Sequence, residues 1–194
     1  MHLADLDLNQ SYTYADYYSW DFPQRVELIY GKAFIKDPVT YTVHQRMSMN
    51  LAMPIYAYLK GSKSAIYTAP FDVRLPHGPS RADIDIIHVV QPDLCVICDP
   101  NNLDERGGIG VPDIIVEILI PLNNVVELND KFDLYEEAGV KEYWIVSPQD
   151  NTFLVNTLVN GKYVTGRPLV SGILTSSILP EFLLDLSKLF ADNI

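Results

Sequence analysis

Pro112-Asp113-Ile114-Ile115-Val116-Glu117-Ile118-Leu119 is a run of β-branched and leucine side chains interrupted by two carboxylates four residues apart. Its composition is that of an interior strand. A carboxylate on an interior strand is costly unless something pairs with it. A second Pro-Asp step, Pro92-Asp93, opens another apolar run over residues 94–97, and Lys131 follows in an expected helix. A bound cation is one partner that would make such carboxylates tolerable, so the function is sought in this region.

The chain has 194 residues, 48% apolar and 20% charged, which predicts one globular domain over 1–194 with residues 1–24 as a leading segment packed on it. No apolar run approaches the ~20 residues that cross a bilayer, and the N-terminus lacks a basic n-region. Two cysteines do not make a disulfide framework. These features predict a soluble, cytoplasmic protein. The net charge of -11 counts against non-specific nucleic-acid binding, which draws most of its affinity from phosphate neutralisation.

The local signals predict a mixed α/β (α+β) domain around one central sheet. A short helix is expected near residues 13–20 and a hairpin over 25–35 around Gly31-Lys32. Thr42 with Gln45 has a capping-box pattern, and Val43, Met47, Leu51 and Ile55 then recur at helical spacing, with Pro54 as a kink and Gly61 as a stop. Strands are expected over 65–75, 84–90, 94–97, 114–120 and 142–146, with a polar connection at 99–110. Asn124 should cap a helix that stops at Gly139. Asn160-Gly161 marks a second hairpin, and residues 178–190 read as a final amphipathic helix.

Strand alternation places Asp113, Ile115, Glu117 and Leu119 on one face. At a rise of ~3.3 Å per residue, Asp113 and Glu117 stand roughly 13 Å apart, too far to share an ion. If 93–98 and 113–119 pair antiparallel, Asp93 falls beside Glu117 and Asp113 lies toward the other end. Leu128, Phe132, Tyr135 and Ala138 form the stripe of the following helix, and Lys131 belongs to the same face. An Asp–Glu pair with a nearby lysine suits metal-assisted phosphodiester hydrolysis. Mg²⁺ (or Mn²⁺) binds through one or two carboxylates plus water and phosphate.

At these residues the sequence resembles the Uma family of putative restriction endonucleases, within the PD-(D/E)XK nuclease superfamily, over roughly residues 22–185. The elements are Val26-Glu27-Leu28-Ile29-Tyr30-Gly31, His44, Phe71-Asp72-Val73, Gln91-Pro92-Asp93-Leu94, the 112–119 stretch, Lys131 with Tyr135, and Gly139-Val140-Lys141-Glu142-Tyr143-Trp144-Ile145-Val146. The resemblance implies a restriction-endonuclease-like core, a central mixed sheet flanked by helices, and a Mg²⁺-dependent site acting on DNA. It assigns Asp93 and Glu117 as metal-holding acids and Lys131 as the catalytic lysine. The superfamily usually places that lysine two residues after the acid, where this chain has Leu119.

Other readings stand beside these. Lys131 has Glu127 at the favourable (i, i+4) spacing. Glu27, His44 and Asp113 are second-tier candidates, and a histidine near a helix start is more often a cap or a surface residue. Cys95 and Cys98 lie three apart on a strand, face opposite sides and should not chelate together. The tyrosine-rich N-terminus could stack bases, although core or oligomer contacts are commoner. Aromatic segments at both ends are compatible with a homo-oligomer, a dimer in the simplest case. The rival to a DNA endonuclease is a catalytically inactive nuclease-fold protein serving as a binding or assembly module.

Overall fold

Two positive-φ pairs set the hairpins. Tyr30 and Gly31 have φ of 52° and 73°, and Asn160 and Gly161 have φ of 52° and 77°. Both are two-residue turns of the kind whose twist matches paired strands. The first turn is therefore Tyr30-Gly31, one residue before the expected Gly31-Lys32. Its register, Ile29 opposite Lys32, leaves no other residue in the loop.

In the computed structural model, residues 6–36, 41–120 and 125–191 are described. After a short helix α1 (Tyr14–Tyr18) come β1 (Arg25–Ile29) and β2 (Lys32–Lys36), then the long helix α2 (Thr42–Leu59). The strands β3 (Ala65–Thr68), β4 (Val73–Arg74), β5 (Val89–Val90), β6 (Leu94–Ile97), β7 (Leu103–Asp104), β8 (Gly107–Ile109) and β9 (Ile114–Ile118) follow. Helix α3 (Val125–Ala138) leads to β10 (Glu142–Ser147), β11 (Thr152–Val159), β12 (Lys162–Thr165), β13 (Ile173–Thr175), β14 (Leu183–Asp185) and α4 (Leu186–Ala191).

The expected mixed sheet flanked by helices is the one that contains β9, with α2 and α4 on one face and α3 on the other, and among the described residues it is joined by a second six-stranded mixed sheet and a small pair. One sheet has the order β2-β1-β5-β4-β8-β7 and the other β12-β11-β10-β9-β6-β3. The chain changes sheet at prolines, which cannot donate to a ladder. Pro70 separates β3 from β4, so the single strand expected over 65–75 is two strands in different sheets. Pro92 separates β5 from β6 in the same way. The Pro92-Asp93 step therefore lies at the junction of the two sheets.

Other expectations shift for local reasons. Residues 84–90 hold a 3-10 turn at Asp83–Asp85 before the short β5, and the connection at 99–110 carries β7 and β8. Helix α2 begins at Thr42, and its N-cap is Tyr41, without a side-chain cap bond. Its buried stripe is His44, Met47, Leu51, Ile55 and Leu59, so His44 takes the inward place expected of Val43, which is exposed. The helix runs through Pro54. Of the helix expected over 178–190, only Leu186–Ala191 is helical. Pro180 has no N–H for a helix interior, Glu181 sits at φ 63°, and Leu183–Asp185 pairs with β13. The cap expected at Asn124 lies outside the described residues. Gly139 ends α3 as expected, at φ 90°. Val140 N–H donates to the Tyr135 carbonyl and Gly139 N–H to that of Glu136, a Schellman closure.

Three apolar clusters fill the fold. One lies between α2, α4 and one face of the β9 sheet, centred on Leu51, Val116 and Trp144. A second lies on that sheet's other face, under α3 and against the β1 sheet, with Ile29, Ile115 and Tyr135. The third joins Leu6, Tyr12 and Tyr14 to Val26, Leu28 and Ile86. Cys95 belongs to the second cluster and Cys98 packs on the first, so they face opposite sides as expected.

Glu142 staples β10 to the segment before β14. Its Oε1 accepts from Ser177 N–H and Oγ, and its Oε2 from Trp144 Nε1 and Ser176 Oγ. Glu142→Ala leaves the buried Trp144 indole N–H and the part-buried Ser176 and Ser177 donors without their acceptor and should lower stability by about 3 kcal/mol. A denaturant midpoint unchanged from wild type would contradict this.

Candidate active site

Strand alternation splits β1. Val26 and Leu28 face the third cluster, while Glu27 and Ile29 face α3 and the other sheet. Glu27 is fully buried. β6 and β9 pair antiparallel with Leu94 opposite Val116 and Cys95 opposite Ile115, so the next position sets Asp93 against Glu117. The pairing assumed from sequence thus brings Asp93 to the Glu117 end. Asp93 Oδ2 accepts from Ile118 N–H at 2.7 Å, which ties the two strand ends together.

Lys131 is the meeting point. Its side chain is 1% exposed. The ammonium donates to Glu117 Oε1 at 2.8 Å and to Glu27 Oε1 at 3.0 Å, with Glu27 Oε2 at 2.9 Å. The i, i+4 partner Glu127 is farther, at 3.8 Å. Tyr135, one turn on, donates its hydroxyl to Glu117 Oε1 at 3.0 Å. Gln91 N–H donates to Glu27 Oε1 at 2.7 Å. Glu27 Oε2 is within ion-pair distance of Lys131 and of Lys36 (3.3 Å) yet accepts a well-directed hydrogen bond from neither. Lys36 also pairs with Glu127.

His44, from the buried stripe of α2, places Nε2 3.1 Å from Asp93 Oδ1, and its Nδ1 is buried without a partner. It is neither a cap nor a surface residue. Asp113 lies apart from this cluster, at the other end of β9. It accepts from Cys98 N–H at 2.7 Å and pairs with Lys141 at 2.6 Å. Lys36 was not singled out from sequence. The hairpin register puts Glu27 opposite Phe34, so Lys36 is its diagonal neighbour, and that cross-strand charge pair was the available signal.

The environment sorts the acids. Burial pushes the Glu27 carboxyl up, but Lys131 and Lys36 outweigh it and hold it at about 2. Burial pushes Glu117 up as well; Lys131 opposes this, while the charges of Asp93 and Glu27 add to it, and the net shift is upward. Burial works to lower Lys131, yet Glu117 and Glu27 keep it charged well above the usual lysine range.

Among the described residues no three His, Cys, Asp or Glu side chains form a ready-made metal cage. Asp93 and Glu117 still offer hard oxygen donors, and the net upward shift of Glu117 marks a buried acid whose lysine partner does not outweigh its burial and its neighbouring carboxylates. This donor set fits Mg²⁺ or Mn²⁺ completed by water and substrate oxygens, not a cation held by protein alone.

The family described as "Uma2: Putative restriction endonuclease" matches residues 14–187. The chain belongs to the Uma2 family. A crystal structure of "a putative nuclease belonging to DUF820 from Anabaena variabilis ATCC 29413" superposes with a TM-score of 0.71 at 19% identity, covering 94% of this chain and 99% of that one. At that identity the likeness establishes the fold, which is restriction-endonuclease-like. No curated protein matches the chain. The Uma2 match spans both sheets, so it takes in Glu27, Asp93, Glu117 and Lys131 together. Among the described residues no helix is long and apolar enough to cross a membrane.

Proposed function

We propose that this Uma2 chain is a Mg²⁺- or Mn²⁺-dependent endonuclease that hydrolyses DNA phosphodiester bonds, with Asp93 and Glu117 holding the metal and Lys131 assisting. The observation that carries this reading is the convergence of Asp93, Glu117 and Lys131 at one sheet junction, with the ammonium 2.8 Å from the Glu117 carboxylate. A divalent cation bound there supplies a Lewis acid for a phosphoryl oxygen and makes water a better nucleophile. The protein's own residues position that chemistry. Ile118 N–H and His44 orient the Asp93 carboxylate, and Tyr135 and Lys131 orient Glu117. Lys131 reaches a scissile phosphate only by releasing Glu27; in place it acts through Glu117. Met49, Met53 and Tyr56, exposed on α2 beside the edge strand β3, support assembly of two copies.

Metal binding should release a proton. The Glu117 carboxyl in the folded protein lies above its ordinary value. Between the two values the folded chain therefore keeps a proton that the unfolded chain has lost. Stability tied to that proton is present below the ordinary range and is lost as pH rises through the folded value. A cation needs the carboxylate, so affinity should rise with pH across this window. Calorimetric Mn²⁺ titrations in buffers of different ionisation enthalpy should differ in heat, and Asp93→Ala should abolish binding. Equal heats in all buffers would contradict the proton release, and undiminished binding by Asp93→Ala would defeat the metal assignment.

A binding or assembly module without catalysis is the second reading. It is favoured by the commitment of the Lys131 ammonium to two carboxylates. Metal binding without cleavage of any DNA would support it.

A further inference from the structure

Trp20 and Phe22 stack with ring centroids 5.2 Å apart and planes at 29°. With Tyr17 and Tyr18 they line a surface cleft of about 390 Å³ that Arg25 and Gln91 also border. Tyr18 is 61% exposed, and the Arg106 guanidinium lies 5.2 Å from its ring centroid. Arg25 is held in place, its Nε donating to Gln91 Oε1 at 2.7 Å and its Nη2 to the Gln91 carbonyl at 3.0 Å. Gln91 gives its backbone N–H to Glu27. It precedes Asp93 by two residues, so the cleft and the site share a wall only about 7 Å long.

A chain of net charge -11 gains little affinity for nucleic acid from phosphate neutralisation. Stacking on aromatic rings is independent of net charge and tolerant of sequence, because every base has a π-face. The cleft offers rings, a fixed guanidinium and continuity with the acidic cluster. We propose that this cleft is a subsite for an unpaired nucleobase of a nucleic-acid strand that runs on to the Asp93–Glu117 site. The base stacks on the Trp20 and Phe22 rings, and Arg25 meets its polar edge. The nuclease reading supplies the substrate class, but the test is independent of catalysis.

Trp144 is fully buried in the core, so a change in tryptophan emission on ligand addition reports on Trp20. The full chain is titrated in chelator, without metal, with short oligothymidylate, oligouridylate and a blunt DNA duplex. Both single strands should quench emission, the tighter one naming the sugar, and the duplex should not. Phe22→Ala should weaken binding about tenfold, and Arg25→Gln severalfold. Tyr18→Ala, at a largely exposed ring, should also weaken it severalfold. Quenching by duplex equal to that by single strands would overturn the proposal, as would affinities unchanged in Tyr18→Ala and Phe22→Ala. Single-strand binding with no metal-dependent cleavage sinks the nuclease reading and leaves the subsite standing; cleavage without such binding does the reverse.

Discussion

Glu117→Ala and Asp93→Ala should each lower metal-dependent cleavage of supercoiled plasmid by roughly a thousandfold, the several kcal/mol that a Lewis acid contributes to a phosphoryl transition state. Both residues stand where β6 and β9 pair, and in the proposed site each would supply one carboxylate to the metal. Removing one would leave the ion on a single carboxylate, a weaker hold against its hydration shell. Glu117→Gln should fail as completely as alanine, because the amide keeps the shape and loses the charge. Asp113→Asn is the control. It changes a carboxylate on the same strand that is occupied by Cys98 N–H and Lys141 at the far end. Its activity should stay within about twofold of wild type, the range of a substitution that touches no reacting group. Equal residual cleavage by wild type, Glu117→Ala and Asp93→Ala would identify a contaminant and remove the assignment.

Lys131→Met should cost about 3–5 kcal/mol of stability, because it strips the shared cation from two buried carboxylates. For a chain of this size that is roughly a 10 °C fall in melting temperature. The thioether is close in length to the lysine stem, so the loss reports charge more than a cavity. The pH dependence carries the sign. In wild type the Glu27 carboxyl is held at about 2. Its contribution is present above the ordinary glutamate range and is lost as pH falls through about 2. In Lys131→Met the main cation is gone and the carboxyl rises, so acid relieves the strain of two buried charges. The gap between the two proteins should narrow from pH 7 to pH 4 in thermal melts. A melting temperature that changes by less than about 2 °C, the shift expected of a surface pair, would mean that Lys36 already neutralises Glu27. Adding Glu27→Gln and Glu117→Gln to Lys131→Met should recover much of the loss, since a buried site without charges needs no counterion.

Much of the site was legible because its parts are local. Glu117 stood out as a carboxylate inside an apolar run, and Lys131 as a cation on an apolar stripe. The antiparallel pairing that sets Asp93 against Glu117 was an assumption about two strands consecutive in the chain, and the register of β6 and β9 agrees with it. Glu27 was visible only as a second-tier candidate. It lies on a strand of the other sheet, and nothing within β1 says which strand faces it. Lys36 was missed although the expected turn at Gly31-Lys32 would set it directly opposite Glu27 and the observed register keeps it a diagonal neighbour; nothing within the hairpin says that Glu27 is buried and needs a counterion. The final helix was overread because an apolar stripe at helical spacing outweighed Pro180 inside it.

The family resemblance spread over residues 22–185 made the nuclease-like fold legible, while local sequence determined the hairpins at glycines, the interior character of 114–118 and the inward face of Lys131. These depend on backbone preferences and periodicities within about ten residues. Only the tertiary structure decided that there are two sheets, that they meet at Pro92-Asp93, and that Glu27 and Lys36 join the cluster. Those contacts depend on strand order and on desolvation at a junction of distant segments. A buried charge does not choose its counterion by sequence distance; it takes the one that packing brings within about 3 Å.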